Sequence, residues 1–322
     1  MSGNYLSQAM KPLATLLSDR LVEIAINPDG VVWVEERGDS HMKRADVSLD
    51  GDTIRNIANQ IANSASVVVS DKKPVFSVSV TFDRWQIRAQ VLMPPAVQSG
   101  VGISLRFFNP AAEIFEPQFL YGKPVSSTAQ RIERNKRMKA LADGADLAGA
   151  LELCVKEKMN LVVSGGTSSG KTMVARYLQK MISDDERIIT IEDAPDLLPT
   201  QPNKVQMVSL EDDTYRSPDK LMQACLRMRP DRIILSEIRG RDAYTFLKAI
   251  NTGHGGSITT LHADTAELAV SRLAQAALEA APAMSFTEMK AYICQSIDVI
   301  IQTKNDAGKR GVVEIFLPGE AP

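Results

Sequence analysis

The chain has 322 residues, of which 44% are hydrophobic, 24% charged and 5% aromatic, and its formal net charge is −2. These proportions are those of an ordinary globular protein and exclude intrinsic disorder. The near-neutral charge gives the molecule no overall electrostatic attraction to nucleic acid or anionic lipid. Because single hydrophobic cores stop growing at about 250–300 residues, the length predicts two domains.

The cysteines and the N-terminus indicate a cytoplasmic protein. Cys154, Cys225 and Cys294 are widely spaced and lie among apolar residues, which predicts buried, reduced thiols. Residues 1–17 lack the basic stretch and apolar core of a signal peptide. No window approaches the roughly 18 apolar residues that a membrane span needs. We therefore expect a cytoplasmic protein without a membrane-spanning segment.

The first hundred residues favour an antiparallel sheet. Strand-forming patterns bounded by turn residues occur at residues 22–27, 31–36, 76–81, 85–93 and 102–108. One helix, from about residue 52 to 63, interrupts them, because Ile54, Ile57 and Ile61 recur at helical spacing. Strands combined with one or two helices predict an α+β domain over residues 1–109.

The chain changes character after residue 109. Residues 110–144 are polar, contain three prolines and include the basic run 131–139. We interpret this segment as a linker whose basic run starts a helix. From residue 145 to 322, short apolar strands alternate with helical patterns, which predicts an α/β domain with a parallel sheet covered on both faces. These strands are residues 160–166, 187–193, 231–237 and 255–263.

Residues 165–172, GGTSSGKT, match the phosphate loop (P-loop) motif GxxxxGK[ST] between a strand and a helix, which is the context that this motif requires. Glycines let the backbone N–H groups turn toward a β-phosphate, and the helix N-terminus adds partial positive charge. Lys171 is expected to bridge the β- and γ-phosphates of ATP, and Thr172 to hold Mg²⁺. The predicted nucleotide-binding residues are Gly165, Gly166, Thr167, Ser168, Ser169, Gly170, Lys171, Thr172 and Met173.

Carboxylates follow two of the apolar strands. Glu192 and Asp193 end one strand, and Glu237 ends another. The carboxyl ends of parallel strands share one edge of the sheet, where ligands bind and where the P-loop lies. An ATPase needs one carboxylate to position the attacking water and another to organise Mg²⁺. Many such strands carry an aspartate just before the glutamate, where this chain has Leu235 and Ser236. We therefore expect Glu237 to hold Mg²⁺ through water.

Two of the three histidines, His254 and His262, lie in residues 251–264 around a glycine turn and a short strand. A metal site would need further ligands, and none is evident nearby. A histidine at this edge can donate a hydrogen bond to a γ-phosphate, so at least one is predicted to be a phosphate sensor. A buried histidine satisfied by the backbone remains an alternative.

Four segments together resemble one family, the secretion traffic ATPases of the type II/IV secretion family, specifically the type IV secretion and conjugation branch. GGTSSGKT resembles its Walker A motif and RIITIEDAPDL its Asp box. CLRMRPDRIILSEIRG resembles its Walker B region and NTGHGGSITTLHAD its His box. In the N-terminal half, only WQIRAQ and GISLRF resemble family segments.

The resemblance implies a RecA-like, ring-forming ATPase. It implies a homohexamer that hydrolyses ATP with Mg²⁺ to power substrate export or pilus assembly. Glu192 would polarise the attacking water, Glu237 would support Mg²⁺, and His262 would belong to the sensor. Arg88 and Arg106 of the N-terminal domain would reach the γ-phosphate, and the long linker leaves open whether that domain sits against its own or a neighbouring ATPase domain.

The implied partners are other cytoplasmic and inner-membrane components of a secretion apparatus, without direct nucleic-acid binding. Any membrane association would be peripheral, at the inner face of the inner membrane. Two alternatives stay open: a regulatory nucleotide-binding docking module with negligible turnover, and a nucleic-acid translocase that uses the basic run. Arg239 and Arg241 are weaker candidates for the positive charge at the γ-phosphate.

Overall fold

The computed structural model describes residues 3–108 and 116–320. Residues 3–108 form a six-stranded antiparallel sheet with helices, and the later residues form a seven-stranded sheet with helices on both faces. The predicted order, an α+β part followed by an α/β P-loop part, is therefore confirmed. No helix in the described ranges is long and apolar enough to cross a bilayer.

The first sheet has the strand order β3-β2-β1-β6-β5-β4. Helix α2 packs on it because its apolar residues Ile54, Ile57 and Ile61 lie on one face and are fully buried. Its first turn is capped by Asp50, whose carboxylate accepts the Thr53 N–H at 2.8 Å. The strands are Leu21–Ile26 (β1), Val31–Glu36 (β2), Lys43–Ser48 (β3), Val75–Phe82 (β4), Trp85–Leu92 (β5) and Gly102–Phe108 (β6). The helices are Gly3–Ala9 (α1) and Gly51–Ser64 (α2), with a 3₁₀ turn at Lys11–Leu16.

The second sheet has the order β13-β12-β7-β11-β10-β8-β9, and all its neighbours are parallel except the β12–β13 hairpin. Apolar cores fill both faces, as continuous apolar strands require. The strands are Leu161–Gly165 (β7), Ile188–Glu192 (β8), Lys204–Val208 (β9), Arg232–Leu235 (β10), Ile258–Leu261 (β11), Val299–Asp306 (β12) and Lys309–Phe316 (β13). The helices are Ser127–Asp143 (α3), Leu147–Lys156 (α4), Lys171–Lys180 (α5), Pro218–Cys225 (α6), Asp242–Ile250 (α7), Ala266–Leu278 (α8) and Phe286–Ser296 (α9).

The basic run lies within α3, which is fastened to the second sheet. Arg134 donates to the Asp298 carboxylate at 2.5 Å, and Arg131 lies 3.1 Å from the same carboxylate. Arg137 donates to the carboxylate of Glu157, the residue that follows helix α4, at 3.1 Å. The second half of the predicted linker thus packs against the ATPase part. The predicted boundary at 109/110 lies outside the described residues, and the domain limits stay a prediction.

The two sheets meet where the strands of the second sheet begin. Arg187, just before β8, is fully buried and donates to Asn27 of the first sheet's β1–β2 turn at 2.7 Å. Arg229, just before β10, binds the Glu35 carboxylate through both Nε and Nη2, at 2.7 and 2.8 Å. The N-terminal part therefore packs against the amino ends of β8 and β10, at the edge opposite the P-loop. It also lies along the outer strand β9, where Val97 pairs with Met207.

The three cysteines are free, as predicted. Cys154 and Cys225 are buried, and Cys294 is partly buried. Burial raises the pKa of the Cys154 thiol to about 12. These thiols are packing residues.

Candidate nucleotide site

The P-loop begins at Gly165, the last residue of β7, in space that has no room for a side chain. A Cβ there would overlap the hydroxyls of Thr303 on β12 and Ser169 in the loop. Those hydroxyls lie 2.7 Å apart, and the Thr303 hydroxyl also donates to the Ser164 carbonyl at 2.9 Å. Gly170 has φ = 101°, a left-handed conformation that glycine adopts without strain. The loop is thus shaped by its glycines and held by β12.

The loop opens into a cavity of about 350 Å³ at the carboxyl edge of the second sheet. Helix α5 starts here, and the first N–H groups of a helix have no partner within it, so they are available to an anion. The predicted residues from Thr167 to Met173 all line the cavity, whereas Gly165 and Gly166 form the base of the loop. The other lining residues are Asp193, Ala194, Asp196, Leu197, Ser236, Glu237, Arg239, Thr260, His262 and Arg310.

Lys171 is held inside this cavity. Its Nζ donates to the carbonyls of Gly165 and Gly166 at 3.1 and 3.0 Å. Its burial lowers the pKa of the ammonium group, while the charge of Glu237 raises it. Lys171 therefore donates to loop carbonyls in this structure. A bound phosphate, which is more negatively charged than a carbonyl, can compete for the same ammonium group.

His262 links Lys171 to Glu237. Its Nε2 lies 2.9 Å from Glu237 Oε1, and Lys171 Nζ lies within reach of both ring nitrogens, at 3.2 Å from Nε2 and 3.3 Å from Nδ1. An ammonium group has no acceptor, so a ring nitrogen that pairs with it must be unprotonated. The arrangement favours the tautomer in which Nε2–H donates to Glu237 and Nδ1 accepts from Lys171. His262 is thus placed to sense a change at either group.

Glu237 is also bound by Arg239, which was a weaker candidate for the positive charge at the γ-phosphate. Arg239 Nε and Nη2 lie 2.9 and 2.8 Å from Glu237 Oε2, and Nη1 lies 3.0 Å from Asp193. Hydrogen bonding to Glu237 is the largest cause that raises the pKa of the Arg239 guanidinium. Thr172 and Glu237 line the same cavity, and their oxygens are donors of the kind that Mg²⁺ takes. These residues fit the predicted metal.

Glu192 does not face this cavity. It is 1% exposed, and its Oε1 and Oε2 accept the Thr190 hydroxyl and the Leu197 N–H, both at 2.7 Å. Burial raises the pKa of its carboxyl, and these hydrogen bonds lower it. Glu192 does not line the nucleotide cavity in this geometry, and its role in polarising the attacking water stays a prediction. Its carboxylate instead holds the turn that presents Asp193 and Asp196.

Substitutions at Glu192 separate these two roles. Glu192→Ala leaves the Leu197 N–H and the Thr190 hydroxyl unpaired, so we expect the free energy of unfolding to fall by about 1–3 kcal/mol. Glu192→Gln keeps one acceptor and one donor, so it should cost less than half as much in chemical denaturation. Equal losses for the two variants would contradict the anchoring role. Loss of hydrolysis in Glu192→Gln at unchanged stability would support the water-polarising role.

Arg88 and Arg106 face a different cavity, of about 480 Å³. They are paired across β5 and β6, and Lys158, Arg229 and His254 line the same space. Lys158 precedes β7 and His254 precedes β11, so this cavity lies at the amino ends of the strands. About 15 Å of strand separates that edge from the P-loop.

The structure therefore does not bring the two predicted arginines to the P-loop of the same chain. The predicted role of Arg88 and Arg106 at a γ-phosphate stays a prediction, and the choice between their own and a neighbouring chain is taken up below. Of the two candidate sensors, His262 lies in the nucleotide cavity and His254 lies in the arginine cavity. Burial lowers the pKa of His254, which favours its neutral form.

Sequence reasoning missed Arg310 and the hairpin that carries it. The hairpin's signal is present, since apolar residues fill 299–301 and the turn residues Asp306 and Gly308 separate them from a second strand-forming run. No P-loop motif includes that hairpin, so only the fold shows that it reaches the nucleotide cavity.

A P-loop between a central parallel strand and a helix, facing carboxylates that follow other strands of the same sheet, defines a RecA-like nucleoside triphosphatase. Residues 130–305 match the family model described as type II/IV secretion system protein. The chain belongs to that family, and it is an ATPase.

Its relatives come from secretion and conjugation systems. The type IV secretion system protein VirB11 of Bartonella quintana (strain Toulouse) is 32% identical, covering 95% of this chain and 91% of its own length. The conjugal transfer protein TrbB of Rhizobium radiobacter is 30% identical, with coverages of 92% and 83%. The solved VirB11 ATPase from the Brucella suis type IV secretion system, in complex with sulphate, is 27% identical with a TM-score of 0.84, covering 99% of this chain and 96% of that chain.

Proposed function

We propose that this chain is the subunit of a homohexameric ATPase that powers substrate export or pilus assembly by a type IV secretion or conjugation apparatus. The names of the relatives support the kind of apparatus. The observation that carries the proposal is the nucleotide cavity, in which the P-loop faces Glu237 and His262 across the sheet edge. Hydrolysis there would release mechanical work through a change in subunit contacts.

In the proposed site, Lys171 moves from the loop carbonyls to the β- and γ-phosphates of ATP. Thr172 and, through water, Glu237 would hold Mg²⁺, which neutralises phosphate charge when bound. As Lys171 leaves His262, the ring retains its hydrogen bond to Glu237. The positive charge beside the His262–Glu237 pair therefore changes with the state of the nucleotide. Glu237 is the cavity carboxylate best placed to orient the attacking water.

We further propose that Arg88 and Arg106 act on the nucleotide of a neighbouring chain. Two observations support this: the arginines lie at the amino edge of the second sheet, and the P-loop lies at the carboxyl edge. Contact between these unlike edges is heterologous, and repeated heterologous contacts close into a ring when the rotation allows. Each active site would then combine one chain's P-loop with another chain's arginines.

Mixed rings test this arrangement. A Lys171→Ala chain keeps its arginines, and an Arg88→Ala/Arg106→Ala chain keeps its P-loop, so each alone should be inactive. If the arginines act between chains, rings reassembled from equal amounts of both contain intact pairs at about a quarter of their interfaces. Hydrolysis should return toward that fraction, with the ring verified by light scattering. A mixture as inactive as its components would show that the arginines do not serve a neighbour.

The two alternatives are less well supported. A regulatory module with negligible turnover would need no cavity carboxylate beside the P-loop lysine, whereas Glu237 occupies that place. A nucleic-acid translocase would need free cations on α3. Four of the five cations on α3 are instead paired with carboxylates of the same chain, namely Arg131, Arg134, Lys136 and Arg137. No aromatic residue interleaves them for base stacking.

We propose that the protein works in the cytoplasm, attached peripherally at the inner face of the inner membrane. Its partners would be cytoplasmic and inner-membrane components of the same apparatus. The support is the kind of system that the relatives' names give. The sedimentation of the protein with membranes, in cells with and without the other components, tests whether those partners hold it there.

A further inference from the structure

The β12–β13 hairpin reaches the nucleotide cavity from the side away from Glu237 and His262. In the second sheet, β12 lies on one side of β7, while β11 and β10, which precede His262 and Glu237, lie on the other. The hairpin is fixed to the P-loop by Thr303, whose hydroxyl contacts Ser164 and Ser169. Its side chains therefore hold a constant position relative to the loop.

Arg310, the second residue of β13, lines the cavity together with Ser168 and Gly170. Its Cβ lies 3.7 Å from the point where a side chain on Gly170 would begin. Asn305, its pairing residue on β12, points its amide toward the Ser168 carbonyl at 3.5 Å. The Arg310 side chain thus begins beside the P-loop.

Arg310 differs from the other cations of the cavity because it has no partner. Arg239 is bound by Glu237 and Asp193, and Lys171 by loop carbonyls and His262. Within residues 3–108 and 116–320, the Arg310 guanidinium makes no hydrogen bond or ion pair, and the residue is exposed. An unpaired guanidinium beside helix N–H groups is a site for a phosphate, which it binds through two parallel N–H donors.

We propose that Arg310 is a positioning residue that binds the α- and β-phosphates of the nucleotide, in ADP as in ATP. This rests on the proposed binding of nucleotide at the P-loop. The γ-phosphate belongs to the side of Glu237 and His262, so a cation on the opposite side of the loop meets the phosphates that hydrolysis leaves behind. Because those phosphates are bound alike before and after the reaction, Arg310 contributes to affinity and not to the rate of the chemical step.

Arg310→Ala tests the proposal by separating binding from turnover. We expect the Kd for a fluorescent ADP and the KM for ATP to rise about tenfold, with kcat within about twofold of wild type. Arg310→Lys keeps the charge but loses the fork, so it should recover part of the affinity. Lys309→Ala is the matched control, because neighbouring strand residues point to opposite faces and Lys309 does not line the cavity.

Competition between inorganic pyrophosphate and the fluorescent ADP shows which part of the nucleotide Arg310 contacts. Weaker competition against Arg310→Ala supports a phosphate contact. Unchanged pyrophosphate affinity beside a weaker affinity for ADP would mean a contact to base or ribose and would overturn the proposal. So would a lower kcat at unchanged KM, or no change at all. Failure of the wild-type protein to bind ADP would instead refute nucleotide binding at the P-loop.

Discussion

Lys171→Ala is expected to lower Mg²⁺-dependent ATP hydrolysis by at least about a hundredfold, because it removes the one positive charge that the P-loop itself brings to the β- and γ-phosphates. The fold should survive, since Lys171 in the absence of nucleotide only donates to the carbonyls of Gly165 and Gly166 and to His262. The two carbonyls and the His262 ring can hydrogen-bond to water instead, because the cavity is open. Phosphate release and thermal unfolding of the same preparation measure both effects.

Lys180→Ala is the matched control for this prediction. Lys180 is the last residue of the same helix, is exposed, and lies away from the cavity. Its removal should leave both hydrolysis and thermal unfolding as in wild type. Hydrolysis by Lys171→Ala above about a tenth of the wild-type rate would contradict the role of the lysine at the phosphates.

Arg232→Ala is expected to lower the free energy of unfolding by about 3–5 kcal/mol, because it leaves the charge of Glu186 buried without its main partner. Arg232 opens β10, is 3% exposed, and binds both oxygens of Glu186 at 2.7 and 2.9 Å. It also donates to the Val155 carbonyl at the end of α4. One side chain thus joins β10, α4 and the segment that precedes β8.

An exposed pair on the same domain gives the comparison. Arg137 and Glu157 lie 3.1 Å apart, with side chains 51% and 33% exposed, so Arg137→Ala should cost no more than about 1 kcal/mol. Circular dichroism should follow the unfolding, because both tryptophans, Trp33 and Trp85, lie in the N-terminal part and would not report on the second sheet. Similar losses for the two variants would show that burial of the Arg232 pair has little effect.

The parts of the fold that the sequence predicts well are those set by local patterns. The parallel strands β7, β8, β10 and β11 are short runs rich in apolar and β-branched residues, and the P-loop has a fixed spacing of glycines, lysine and threonine. The hairpin was missed because its importance depends on a neighbour far away in the chain. That β12 lies beside β7 is decided by packing of the complete sheet, which no local pattern encodes.

The site was predicted less completely because side-chain direction is a tertiary property. Glu192 and Glu237 both lie at the carboxyl edge, yet the turn after β8 folds back so that the Leu197 N–H captures Glu192. Arg88 and Arg106 were expected near phosphate, but their edge of the sheet follows from how the two domains pack. Arg187 and Arg229 contribute to that packing through Asn27 and Glu35, contacts between residues more than 150 positions apart.

The position of β12 also affects how the protein is made. A ribosome delivers β7 first, but its two neighbours in the sheet, β11 and β12, begin only at residues 258 and 299. During that interval the nascent chain carries an apolar strand with open edges, which is a place where chains aggregate. Until Thr303 is synthesised, the loop lacks the hydroxyl that ties Ser164 and Ser169 to β12. We therefore expect chaperones to protect β7 during translation and nucleotide binding to be among the last abilities that the folding chain acquires.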